Sequence, residues 1–208
     1  MGRIKCKVSR GAVIFWLGGL VFGLREWRRG AEGLLDELFP VAVVLGCIAL
    51  HELGHLVMAR WVGVGIRGLK IDLLGARLEM DGLIPYGREI AVALGGPMAN
   101  LFSAAVVYPI WRGNGGGGLG LFVVASVLLA VVNLLPIGTL DGGRVLYCGT
   151  AKLWGEEVAG RIRGITTGLF LGGIWLFSVY GLLLSARFLS LFAFSFCLLL
   201  RSTDERGI

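Results

Sequence analysis

From its amino end the chain reads as long apolar runs separated by short polar connections: Gly11 to Leu24, Leu38 to Val62, Ile90 to Trp111, Leu119 to Leu135, Ile165 to Leu184 and Phe188 to Leu200. A hydrocarbon layer about 30 Å thick needs about 20 helical residues at about 1.5 Å each, so the pattern predicts about six transmembrane helices. The first run is the shortest and spans only about 21 Å, so it relies on flanking Arg and Trp to reach the interface. Arg3, Lys5, Lys7 and Arg10 before it outline a secretory signal, but Leu24, Arg25 and Glu26 follow where a small-x-small cleavage site would stand. It reads as an uncleaved first span. Between the second and third runs the period changes. From Ile66 to Asp81, Leu69, Ile71 and Leu73 alternate with polar positions; after Gly75, Arg77, Glu79 and Asp81 interleave with Ala76, Leu78 and Met80. That period of two predicts a short hairpin of two strands against the membrane face. The expected fold class is an all-α polytopic membrane protein of about six transmembrane helices with a short membrane-associated β-hairpin.

Composition agrees and removes alternatives. The 208 residues are 56% hydrophobic and 16% charged, against about 45 to 50% and about 25% in soluble domains, and the mean hydropathy is +0.80. A water-soluble globule is excluded, and residues 1–208 read as one domain. The net charge of +6 would suggest nucleic acid in a soluble protein. Here the basic residues lie between the apolar runs, so no nucleic acid is expected and the lipid bilayer is the surrounding partner. With a cytoplasmic amino end, fifteen Lys and Arg fall on the cytoplasmic side and five outside. The inward bias predicts a multi-pass cell-membrane protein with both termini cytoplasmic. Cys6, Cys47, Cys148 and Cys197 form no Cys-x-x-Cys pair and read as reduced packing residues.

The glycines carry structural rather than catalytic expectations. Gly113 to Gly120 reads as a flexible outer loop, since no Lys-Ser or Lys-Thr follows to make a phosphate cradle. Gly63, Gly65 and Gly68 match G-x-G-x-x-G, but after a helix and before strands, the wrong order for a dinucleotide site. Gly160, Gly164, Gly168 and Gly172 recur every four residues, which predicts close helix packing along one face. Gly95, Gly96 and Pro97 are expected to pack likewise, with Pro97 bending the helix. Asn100, on the same run, needs a hydrogen-bond partner at that depth.

The chemistry lies in the second run, which contains His51-Glu52-Leu53-Gly54-His55, an H-E-x-x-H. Residues four apart on a helix lie about 6 Å apart along the axis on nearly the same face, so both imidazoles can address one cation. Zinc is the natural candidate, and Glu52 is placed to accept a proton from a water whose pKa the cation lowers to about 7. These are the only two histidines in the chain. Burying three ionisable side chains in a span costs about 2.5 to 3.5 kcal/mol for each one that is charged, so such residues default to function. A catalytic zinc takes a third protein ligand. Asp72, Glu79, Asp81, Glu89, Asp141, Glu156 and Glu157 are candidates; depth favours Asp141, just past the cytoplasmic end of the fourth span.

HELGH at 51–55 together with NLLPIGTLDGGR at 133–144 resembles the site-2 protease family of intramembrane zinc metalloproteases, and the likeness covers most of the chain. Gly95-Gly96-Pro97 with Asn100 is similar to that family's third-span motif, and Ile66 to Met80 to its membrane-associated strands. Within the family the likeness is to the compact sporulation branch, the stage IV sporulation protein FB type, although Thr139 stands where sporulation members often carry a second proline. The resemblance implies that Asp141 is the third zinc ligand beside His51 and His55. It implies that Asn133 binds the substrate or the developing oxyanion, and that Pro136 breaks the fourth helix beside the site. No PDZ or CBS module is expected within residues 1–208.

The expected activity is zinc-dependent endopeptidase cleavage of a membrane-embedded or membrane-tethered protein in regulated intramembrane proteolysis. The substrate would be a sigma-factor precursor, an anti-sigma factor or another signalling protein, and inhibitory membrane proteins are conceivable partners. Two other classes compete: a metal-binding membrane transporter, which would spread acidic or His residues along several spans, and a non-catalytic membrane scaffold. The clustering of these residues at one depth, with a general base among them, favours the peptidase.

Overall fold

The computed structural model describes residues 5–8, 31–72, 75–80, 82–185 and 189–204. The apolar runs become helices wherever they are described. Helix α1 is Ala31–Trp61, α2 Tyr86–Asn114, α3 Gly117–Asn133, α4 Asp141–Trp154, α5 Glu156–Leu184 and α6 Leu189–Asp204; the strands are β1 Lys5–Val8, β2 Ile66–Asp72 and β3 Gly75–Met80. Among the described residues three segments can cross a membrane by length and composition: Leu38–Trp61, Tyr86–Asn114 and Glu156–Leu184. Helices α3 and α6 are shorter, at 17 and 16 residues, or roughly 25 Å. The run Gly11 to Leu24 lies outside the described residues. Large apolar side chains such as Phe102, Leu169 and Leu183 are exposed, as they are on helices that face hydrocarbon rather than water.

The described chain divides into two compact units. The first holds residues 1–84 and 95–131, the second 85–94 and 132–208, so α2 contributes its first turns to one and the rest to the other.

In the first unit α1 and α2 approach closely because both carry glycine at the crossing. A Cβ on Gly54 would come within 2.6 Å of the Ala99 Cβ, and one on Gly95 within 2.6 Å of the Gly54 carbonyl oxygen. Small residues at such a crossing replace the hydrophobic drive that helices lack inside lipid. Helix α2 runs unbroken through Pro97 and Pro109. Helix α3 is joined to α1 by the buried Ser126 hydroxyl, which donates to Cys47 Sγ at 3.3 Å. The Phe39 ring occupies the space that a side chain at Gly118 would need. Three strands complete this unit in the order β1-β2-β3. β2 and β3 are antiparallel, with an irregularity between Ile66 and Gly68, and β1 pairs parallel to β2 from Lys5 opposite Gly68 to Val8 opposite Ile71. Residues 66–72 and 75–80 are thus paired strands. Strand β1 was not anticipated, because its two lysines read as topology charges and four residues are too few to display a period.

In the second unit α4 and α5 form a helical hairpin joined through Gly155, whose φ of 87° and ψ of 166° belong to a region open essentially to glycine alone. Segment 141–154 had no element assigned from sequence; it is a helix whose first turn is buried at Gly142 and Gly143. The Arg163 guanidinium lies 4.8 Å from the centre of the Tyr147 ring, and the Ser178 and Ser195 hydroxyls meet at 2.9 Å between α5 and α6. The expected glycine packing stripe on α5 is different. Among the described residues, a Cβ at Gly160, Gly164, Gly168 or Gly172 would have nothing within 4 Å, so no described element packs against the stripe.

Candidate metal centre

Four-residue spacing on α1 brings His51 and His55 to one face, where they are 4% and 8% exposed. Their ring centroids are 4.8 Å apart and the planes nearly perpendicular at 85°. What they face is Gly96 on α2. A Cβ there would overlap His55 Nε2 and come within 2.7 Å of His51 Nε2, so both Nε2 atoms converge on one small region that only glycine leaves open. The Gly96 N–H donates to His55 Nδ1 at 3.2 Å. A neutral ring accepting at Nδ1 carries its proton on Nε2. Ligation through Nε2 therefore requires the other tautomer and release of this bond, which already lies at the long end of the usual range. Glu52, between the histidines, is half-buried. Two buried imidazoles with nitrogens turned to a common point are a donor pair that suits zinc, so the residues present fit that ion.

Asn133 closes α3 and Asp141 opens α4; both are half-buried. The segment between them is wound by short-range bonds, from Leu135 N–H to the Val132 carbonyl at 3.1 Å, Ile137 to Leu135 at 2.8 Å and Leu140 to Ile137 at 2.9 Å. It lies directly on the first turn of α4. A Cβ on Gly142 would strike the carbonyl groups of Leu134 and Leu135, and one on Gly143 that of Ile137. The two glycines after Asp141 thus let the loop settle on the helix that begins with this carboxylate.

Several other candidate carboxylates are engaged elsewhere. Glu89 accepts from Arg144 Nε at 2.8 Å, Glu156 accepts from the Tyr86 hydroxyl at 2.6 Å, and Glu157 lies 3.5 Å from Arg161 on an exposed face. The side chains of Asp72, Glu79 and Asp81 lie outside the described residues. Burial beside Glu89 pushes the Cys148 thiol up to about 12, with loss of solvation the larger cause and the nearby carboxylate the next. Cys148 is therefore an uncharged packing thiol. Asn100 is fully buried on α2, and neither atom of its amide has a hydrogen-bond partner among the described residues. Sequence reading missed the apposition of Gly96 to the imidazoles, since contact between two helices leaves no mark on either one's periodicity.

No protein-family model matches the chain. It is 30% identical over 177 residues to stage IV sporulation protein FB of Bacillus subtilis, covering 80% of this chain and 60% of that protein. It is 29% identical over 113 residues to a zinc metalloprotease of Methanocaldococcus jannaschii, covering 52% of this chain and 33% of the other. The chain thus spans 60% and 33% of these relatives' length. Its fold is similar to that of the site-2 protease from Methanocaldococcus jannaschii, with a TM-score of 0.71 over 97% of this chain and 90% of that one, at 21% identity. By these likenesses the chain is a membrane protein similar to the site-2 protease family, whose fold it shares.

Proposed function

We propose that the chain is an intramembrane zinc metalloendopeptidase whose metal is held by His51, His55 and Asp141. The observation that carries this reading is the convergence of two buried imidazoles on the space left by Gly96. Asp141 is favoured as the third ligand because the loop and glycines around it fix its backbone at the start of α4. Zinc, when bound, supplies Lewis acidity and lowers the pKa of water to about 7. Glu52 accepts the proton of the water that attacks the scissile carbonyl and passes it to the amine as the C–N bond breaks. Asn133 donates its amide N–H to the carbonyl oxygen as charge develops there.

A helical substrate keeps its carbonyls bonded and must unwind to be cut, leaving polar groups unsatisfied in lipid. Strand β3 lies at the edge of the β1-β2-β3 order. An extended substrate segment added along that edge regains its main-chain bonds. The finer reading is of six spans with the strands against the membrane face and both termini cytoplasmic. The substrate is a membrane-tethered regulatory protein, such as a sigma-factor precursor or an anti-sigma or signalling protein, with inhibitory membrane proteins as further partners.

The decisive experiment is co-expression of wild type and Glu52→Gln with a tethered precursor, scored by a size shift, with zinc measured on both purified proteins. The variant is expected to keep its zinc and to cleave at least about a hundredfold more slowly. Undiminished cleavage by Glu52→Gln rejects the assignment.

A further inference from the structure

The loop that precedes Asp141 is tied to another helix by one bond. Thr167, on α5 and 7% exposed, accepts the Gly138 N–H on its Oγ1 at 2.8 Å. The hairpin explains how so distant a residue reaches this loop. Asp141 starts a 14-residue helix and Thr167 lies about three turns into the returning one, so at about 1.5 Å per residue both stand roughly 15 to 20 Å from the Gly155 link. Gly138 is three residues before Asp141, and the intervening Leu140 N–H bonds back to Ile137. Few backbone torsions are left free between the anchored amide and the carboxylate. Packing of the loop on Gly142 and Gly143 limits the same segment from the other side.

The geometry points to Thr167 as a positioning residue: its hydroxyl, by holding the Gly138 amide, fixes the loop that aims the Asp141 carboxylate at the metal. This rests on the reading of Asp141 as a ligand. A hydroxyl is required for the function, whereas the γ-methyl contributes only packing. Partners that orient a ligand without touching the metal are worth about 10- to 100-fold in metal affinity.

The test compares full-length Thr167→Val, Thr167→Ser, Asp141→Ala and Ser178→Ala in detergent, measuring zinc retained against a graded chelator and the midpoint of thermal unfolding. Ser178→Ala removes a different buried hydroxyl, the one meeting Ser195, and reports what loosening the bundle does by itself. Thr167→Val is expected to release zinc at about 10-fold lower chelator than wild type. Thr167→Ser should stay within about 3-fold of wild type, and Ser178→Ala should lose thermal stability without losing zinc. Equal zinc retention by Thr167→Val and wild type, with Asp141→Ala depleted, overturns the positioning role and leaves the ligand assignment standing. Equal loss in Thr167→Val and Ser178→Ala also overturns it. Full retention by Asp141→Ala removes the ligand assignment itself, and this inference with it. Should Thr167→Val not accumulate, Thr167→Ala, which deletes the acceptor, set against Thr167→Ser, which keeps it, decides the question by the same zinc titration.

Discussion

A methyl group at position 96 would occupy the space that both imidazoles face. In an ordinary helix, Gly→Ala gains about 1 kcal/mol of propensity. Here that gain meets an overpacking cost of about 1 to 3 kcal/mol, and the strain falls on the two rings rather than on inert methyls. Gly96→Ala is expected to leave overall stability within about 2 kcal/mol of wild type while weakening zinc binding at least about tenfold. Unfolding midpoint and metal content, measured together, check it. At this scale the sequence was legible in the placement of His51 and His55 on one buried face, because the periodicity of one helix determines which side chains share a face. The surroundings of Asp141 were less legible. Gly142 and Gly143 let the preceding loop lie on the first turn of α4, a contact that leaves no periodic mark.

The link between α4 and α5 is the sharpest constraint among the elements. Gly155 separates two helices by one residue in a conformation that side chains disfavour, while its N–H bonds to the Ala151 carbonyl at 3.0 Å and its carbonyl accepts from Ala159. Gly155→Ala is expected to cost about 1 to 3 kcal/mol, read as a lowered unfolding midpoint, with an earlier loss of zinc in proportion to stability. The apolar runs predicted α1, α2, α3, α5 and α6 because stretches of 13 to 25 residues with few or no charges have few other solutions. Helix α4 escaped because Asp-Gly-Gly at its start and Gly149 within it are weak helix formers, and packing on α5 rather than propensity holds it. The glycine stripe of α5 meets no partner among the described residues. Spacing states where another helix can approach, and nothing in the sequence says whether this chain supplies one.

At the scale of the molecule, the described residues include three helices long and apolar enough to cross a bilayer, with exposed Phe and Leu along them. Washing membranes with alkaline carbonate is expected to leave the full chain in the pellet, and only detergent should release it; recovery in the wash would contradict a spanning arrangement. The N-terminal strand adds a constraint in time. Because β1 lies parallel to β2, it cannot be seated by a tight turn; residues 9–65, with α1 among them, must first carry the chain back to the same sheet. Among the described strands β1 is made before its partner and its pairing must wait for β2, whereas β2 and β3 are near neighbours in the chain and can pair locally. Until β1 arrives, the backbone groups of β2 that it will cover remain available to any extended segment nearby, so the order of synthesis leaves this protein a brief interval in which the wrong strand can take the place of its own.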